Sequence, residues 1–474
     1  MTFKHRLYAS LSAAYMLAFP TEAFARHIEA GQVTTIDTNV SAVFTSVAFQ
    51  EPFDVVPIVV STPSTEGTSP ADLRIRNVTT TGFEVAAIEP PGEDGPHNSM
   101  TIDYIAIEPG VTTLPNGTVI AAGFHSTSST STGTGTDGPD TFDTVPFGVT
   151  LSAAPGVVAN IQTTNNEDNA IPREFSQPFM SIGAQLSTTT SVQLTLDRSE
   201  TTNFGTVSVD ETIGWIAFPN GSTGTLTDTS GAEIGWDARI TPDNITGNCV
   251  SNTFSAISWP NARVVGTKEG RDGSDGGWLR RCSITNTTVA FEIEEDMTLN
   301  DEQNHTSENA SILSFSDSFH AILVGELTGS KDVEMVTASE YSIPGNEIRY
   351  RLSAQSIGNT AVDSGSVVFI DALPDATALK VSDIDGPGSG PVRFINGTPN
   401  SGLSYNFISL SSTTDDVDFS NDGGSTFTYE PVPNGVGADS AVTHIRITPK
   451  GSFLAAIGGG SAPNFSAQFD AVIQ

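Results

Sequence analysis

Pro57-Ile58-Val59-Val60, followed after a polar loop by Val78-Thr79-Thr80-Thr81-Gly82-Phe83-Glu84-Val85 and then by Thr101-Ile102-Asp103-Tyr104-Ile105-Ala106, is a pattern within residues 52–108 that the chain repeats twice more. The second copy reads Pro155-Gly156-Val157-Val158, then Leu186 to Leu196, then Thr212-Ile213-Gly214-Trp215-Ile216-Ala217. The third reads Pro260-Asn261-Ala262-Arg263-Val264-Val265, then Ile284 to Phe291, then Ala310-Ser311-Ile312-Leu313-Ser314-Phe315. Each segment alternates apolar with polar residues and is rich in Val, Ile, Thr and aromatics, which suits a strand with one buried face. A period of about a hundred residues is too long for a solenoid turn or a propeller blade and close to that of a complete sandwich. The pattern therefore predicts an all-β chain of tandem β-sandwiches, each with its own core.

Composition fixes the setting. The chain has 474 residues, with 20 Lys and Arg against 55 Asp and Glu, a formal net charge of -35 and a pI near 4.2. Such a surface repels nucleic acid and anionic lipid, stays soluble in salt and offers carboxylates to divalent cations. Lys4, His5 and Arg6, the apolar stretch Leu7 to Phe19 and the small-residue site Ala23-Phe24-Ala25 read as a secretory leader cut after Ala25. No other apolar run is long enough to span a bilayer, so the expectation is a secreted or cell-surface protein with no membrane span. The two cysteines, Cys249 and Cys282, fall in the third repeat and predict one disulfide stapling it.

Boundaries follow from texture. Residues 126–141 (STSSTSTGTGTDGPDT) cannot bury a core and read as a linker. Asn116-Gly117 between Val111 and Ile120 is a hairpin signal. The expected order is leader 1–25, sandwich repeat 26–125, linker 126–141, second repeat with a polar connector 142–239, third repeat 240–327, and a different module 328–474.

The strand patterns of the three repeats resemble the H-type lectin-like sandwich of bacterial exported proteins. The first repeat carries all its features (Pro57 to Val60, Val78 to Val85, Ile102 to Ala106); the second lacks the Gly-Phe pair, and the third has Ser314-Phe315 in place of Ala. Lectins of this kind associate in threes, which implies that three tandem repeats pack as a trimer within one chain. The last module resembles the conserved-repeat Ig-like domain of bacterial cell-surface proteins. The resemblance rests on Pro344-Gly345-Asn346-Glu347-Ile348-Arg349-Tyr350, Gly358-Asn359, Asp371-Ala372-Leu373-Pro374, Phe419 to Tyr429 and Val442 to Arg446, in that order. It implies a structural or spacer role outside the cell.

Candidate chemistry is sparse. Gly133-Thr134-Gly135-Thr136-Asp137-Gly138 fits a dinucleotide fingerprint on paper but lies in the linker, not between a strand and a helix. There is no HExxH, GxSxG or CxxC, so no enzyme is expected. His97 and His305 occupy like positions before the final strand of repeats 1 and 3 and could form a ligand-binding loop. Glu292, Glu294, Glu295, Asp296, Asp301 and Glu302 make a dense acidic run. From it, Glu294, Glu295, Asp296 and Asp301 are the candidate Ca²⁺ ligands, Ca²⁺ being the one cofactor considered. Trp278, in a Gly-rich loop, could stack on a sugar, whereas Trp215 and Trp259 fall on strands and belong to cores. The leading expectation is a non-catalytic structural or adhesive surface protein of a bacterium, meeting glycans or other copies of itself. The alternative is a carbohydrate-binding, lectin-like extracellular protein.

Overall fold

Val, Ile and Thr alternating with polar residues leave the backbone no better option than extended pairing, and the described residues form strands and turns with no helix. The computed structural model describes residues 15–18, 25–37, 43–93, 97–131, 140–167, 178–273, 276–299, 303–337, 343–456 and 461–474. Two compact units emerge: residues 26–114 with 118–322, and chiefly residues 323–474.

In the first unit each repeat is a sandwich of two antiparallel sheets. The inner sheets run Phe319–Leu323, Arg26–Thr34, Thr101–Ile107, Ile58–Ser61 in repeat 1; Gly110–Thr113, Val119–Thr127, Glu211–Pro219, Pro155–Ile161 in repeat 2; and Ser222–Thr227, Glu233–Ile240, Asn309–Phe315, Arg263–Glu269 in repeat 3. The outer sheets have three strands in repeats 1 and 3, for example Thr45–Ala48, Gly82–Ile88, Asp72–Thr79 in repeat 1, and four in repeat 2, where Thr130–Ser131 adds a parallel pairing. Separate apolar cores fill the three sandwiches, around Phe83 and Tyr104, around Leu194 and Trp215, and around Trp259 and Phe291. The tandem-sandwich expectation holds, with a core for each repeat.

The sheets cut the chain at points that the linker did not suggest. Val119–Thr127 pairs with Glu211–Pro219, so it belongs to repeat 2 and not to a first repeat ending at 125. The hairpin at Gly117, with φ +86°, joins it to Gly110–Thr113. The Gly-rich residues expected as a connector after repeat 2 form the hairpin Ser222–Thr227 and Glu233–Ile240 of repeat 3. Within the expected linker, Thr130–Ser131 pairs in parallel with Leu196–Asp197, while 132–139, including the whole glycine fingerprint, lies outside the described residues. A common rule emerges: the strand that follows each repeat's last inner strand joins the sheet of the next repeat. Phe319–Leu323, after repeat 3, joins the sheet of repeat 1 and so closes the cycle.

Each sheet presents its Val-Val strand as an edge, and these three edges are buried against one another. Val60, Val158 and Val265 are equivalent, since they pair with Ile105, Ile216 and Leu313. Two positions on lie Thr62, Asn160 and Thr267. The Gly266 N–H donates to Thr62 Oγ1 (2.6 Å), the Ser61 N–H to Asn160 Oδ1 (2.6 Å) and the Ala159 N–H to Thr267 Oγ1 (2.9 Å). Equivalent donors thus meet equivalent acceptors in a cycle of three, and edge N–H groups that the ladders leave unpaired are satisfied by the neighbouring repeat. Close by, Ile28, Ile120 and Trp236 with Ile105, Ile216 and Leu313 line an apolar cavity of about 10 Å³. The repeats therefore pack mutually, as a trimer within one chain.

Cys249 and Cys282 are joined (S–S 2.06 Å), tying the segment before Val250–Thr253 to Trp278–Ile284 in repeat 3. The second unit is a sandwich of its own. Tyr15–Ala18, Val368–Ala372, His444–Ile447 and Val417–Ser420 face a sheet built on Leu327–Met335, Glu347–Ser356, Asn464–Ile473, Thr377–Lys380 and Ala438–Asp439. Of the expected leader, Tyr15–Ala18 and Ala25 are described and the rest lies outside the described residues. In this core Lys331 Nζ donates to Asp371 Oδ1 (2.7 Å) and lies 4.4 Å from the centre of the Tyr350 ring.

Replacing Asn160 with Ala removes one member of the three-fold cycle and leaves the buried Ser61 N–H without an acceptor. The expected loss is about 1–3 kcal/mol of unfolding free energy, read by denaturant titration, with the fold retained.

Candidate functional site

Charged side chains are concentrated where the repeats meet. The third residue of Asp72–Thr79 is Arg74, 1 % exposed, which reaches into repeat 2 to pair with Glu167 and donate to the Met180 carbonyl. The third residue of Trp278–Ile284 is Arg280, which reaches into repeat 1 and donates to the Ser64 carbonyl (2.6 and 3.0 Å) while pairing with Glu294. Repeat 2 has Gly183 at that place, and its contact with repeat 3 is instead a backbone bond from the Gly270 N–H to the Ala184 carbonyl (2.9 Å). Arg281 adds an ion pair with Asp103 of repeat 1 (2.7 Å).

Trp278 corrects the sugar-platform expectation. It is 4 % exposed, its Nε1–H donates to the Ala71 carbonyl of repeat 1 (2.9 Å), and its ring packs 5.0 Å from that of Phe179 of repeat 2. The indole is a joint between all three repeats and offers no face to a ligand. The loop glycines let the chain enter at this crowded point: Gly277 has φ +149°.

His97 and His305 are buried rather than loop-exposed, which corrects the shared ligand loop. Each Nδ1 lies against the carbonyl of the next residue, Asn98 (2.8 Å) and Thr306 (2.7 Å). Each ring fills the space over a glycine, a Cβ on Gly67 lying 2.8 Å from His97 Nε2 and one on Gly273 lying 2.7 Å from His305 Nε2. At the same distance before the final strand, repeat 2 has Val207, packed on its core. The two imidazoles are plugs in repeats 1 and 3, whereas Val207 is only partly buried.

The acidic run does not converge either. Glu294 is committed to Arg280; Glu295 is buried 3.8 Å from His305; Asp296 accepts from the Glu200 N–H of repeat 2 (2.9 Å) and the Thr298 N–H (3.1 Å). Asp301 lies outside the described residues. Glu292 approaches Cys249 and Cys282, whose sulfurs are spent on each other. The Ca²⁺ ligand set is therefore not assembled by Glu294, Glu295 and Asp296.

Sequence reading missed another cluster, at the seam where Phe319–Leu323 meets Arg26–Thr34. His320 Nδ1 lies 2.9 Å from Glu29 Oε2 and its Nε2 3.3 Å from His27 Nδ1; His27 Nε2 lies 3.6 Å from Asp54 Oδ2. The Tyr104 hydroxyl donates to Glu29 Oε1 (2.7 Å), and burial beside that carboxylate raises the phenol above its ordinary range. Phe53 packs on both imidazoles. These residues are scattered from 27 to 320 in sequence, so spacing gave no signal.

No family model matches the chain, and no solved structure matches it. Over 323 residues, 65% of its length, it is 26% identical to Halomucin of Haloquadratum walsbyi (strain DSM 16790 / HBSQ001), and the match spans 3% of that protein. No helix of the described residues is long and apolar enough to cross a membrane.

Burial between the repeats raises Asp72 to about 6 and Glu294 to about 7, despite the lowering influence of Arg74 and Arg280. The folded chain then keeps two protons that the unfolded chain, with values of 3.8 and 4.5, has already released. Their contribution to stability is full below about pH 4 and is lost as pH rises through about 6 to 7. Urea titrations should show unfolding free energy falling across that window, and Glu294→Gln, which cannot release the proton, should flatten the fall.

Proposed function

We propose that the chain acts outside the cell as a non-catalytic structural or adhesive surface protein of a bacterium. Its three lectin-like repeats form a single stiff platform, and the Ig-like sandwich of residues 323–474 serves as a structural spacer. The observation that carries the reading is the use of the buried ionisable groups: Arg74, Arg280, Arg281, Asp103 and Glu167 are spent on joining repeats. Groups held this way are poor acids, bases or nucleophiles, because moving a proton or charge on them breaks the joint. A net charge of -35 suits a surface that stays hydrated in salt. The partial likeness to a protein named as a mucin favours an external setting.

The test is a glycan array probed with the purified chain in saline buffer, run beside light scattering over a range of protein concentrations. The structural reading expects a silent array and self-association that grows with concentration. Selective binding to one glycan, competed by the free sugar and shown by a monomeric chain, would replace it with the carbohydrate-binding reading.

A further inference from the structure

In the seam cluster, ligand atoms of His27, Asp54 and Glu108 converge. Glu29 accepts from the Tyr104 hydroxyl (2.7 Å) and the Gln50 N–H (2.9 Å), and the hydrogen shared with His320 is placed on His320 Nδ1 (2.9 Å). In the matching tautomer His320 Nε2 takes its hydrogen bond from His27 Nδ1 (3.3 Å). That assignment leaves His27 Nε2 as a lone pair. It faces Asp54 Oδ2 at 3.6 Å, and one Glu108 oxygen completes a trio whose ligand atoms lie within 4.8 Å of one another. Glu108 accepts from the N–H groups of His27 (3.1 Å), Asp54 (2.8 Å) and Val55 (3.2 Å), which fix its carboxylate in place. Three acceptor atoms thus converge with no donor among them.

We infer that His27 Nε2, Asp54 and Glu108 bind a divalent transition-metal ion of the zinc class, with water completing the coordination. One imidazole and two carboxylates suit zinc better than Ca²⁺ or Mg²⁺, which take oxygen ligands almost alone. Tetrahedral ligands at 2.0–2.1 Å stand about 3.4 Å apart, so the trio must tighten by about 1 Å. The Asp54 side chain, 70 % exposed, is free to make that movement and gives the ion its entry from solvent. The other two repeats lack the set: the residues equivalent to His27 and Glu108 are Val119 and Pro219 in repeat 2, and Gly235 and Ser316 in repeat 3. The cluster occurs at the one inner sheet whose outer strand arrives from the far end of the unit. A metal on His27 fixes the hydrogen-bond chain through His320 to Glu29 and thereby pins the closing strand.

The test is calorimetric titration of the chelator-treated full chain with ZnCl2 in buffer holding excess Ca²⁺ and Mg²⁺, which occupy loose surface carboxylates. The expected result is one equivalent bound, a higher melting temperature, and at least a tenfold weaker affinity in Asp54→Asn. That variant alters an exposed residue, so it keeps the fold even where His27→Gln does not. Substitution by Co²⁺ should give visible absorption bands that Asp54→Asn changes. Zn²⁺ bound without one-to-one stoichiometry, or bound equally by Asp54→Asn, overturns the inference. A melting temperature that responds to pH through the histidine range but not to Zn²⁺ shows that the trio takes up a proton instead of a metal and overturns it too.

Discussion

Three strands that end their sheets are buried side by side, and the fold depends on how their unpaired backbone is satisfied. An edge strand exposed to water loses nothing; an edge strand buried without partners loses about 1–3 kcal/mol for each orphaned N–H. The cycle through Thr62, Asn160 and Thr267 answers this with side-chain oxygens supplied by each neighbour in turn. No repeat can keep its Val-Val strand both apolar and buried without the other two. Mutual packing is thus built into the strand that defines the repeat.

The rest of the first unit follows from that requirement. Once the edges meet, the strands beside them bring Ile105, Ile216 and Leu313 together, and the axis becomes apolar. Charged residues are pushed outward to the joints between repeats, where Arg74 and Arg280 can reach neighbouring carbonyls and carboxylates. Such pairs are better read as fixing register than as adding net stability, since desolvating the charges offsets much of their attraction. The strand carried over from each repeat to the next links them in order, and the carried-over strand of repeat 3 returns to repeat 1. A chain closed in this way has its seam at His320 and His27, where the strongest cluster of imidazoles and carboxylates is found.

Much of this architecture was legible in the sequence because it is carried by local pattern. Period-two texture located the strands, the recurring strand that starts at proline and ends in Val-Val located the repeats, and two cysteines left a single pairing. The failures share a cause. Trp278 sits among glycines and reads as exposed, but its covering groups, Ala71 and Phe179, come from other repeats. His97 and His305 look like ligands from their loop position, but the glycines they bury, Gly67 and Gly273, are far away in sequence. Gly110–Thr113 and Val119–Thr127 adjoin repeat 1 in sequence and belong to repeat 2 in space, because a carried-over strand has no local mark. One signal was present and unread: a polar residue two places after the second valine of the motif in every copy, Thr62, Asn160 and Thr267.

The central claim is that repeats 1 to 3 are one cooperative body held at their buried edges. Amide hydrogen exchange at Ser61, Ala159 and Gly266 measures it most directly, because these are the donors of the three-fold cycle. The account predicts that all three exchange slowly and at one common rate, set by unfolding of the whole unit. Three different rates, or exchange as fast as that of exposed turns, would contradict it.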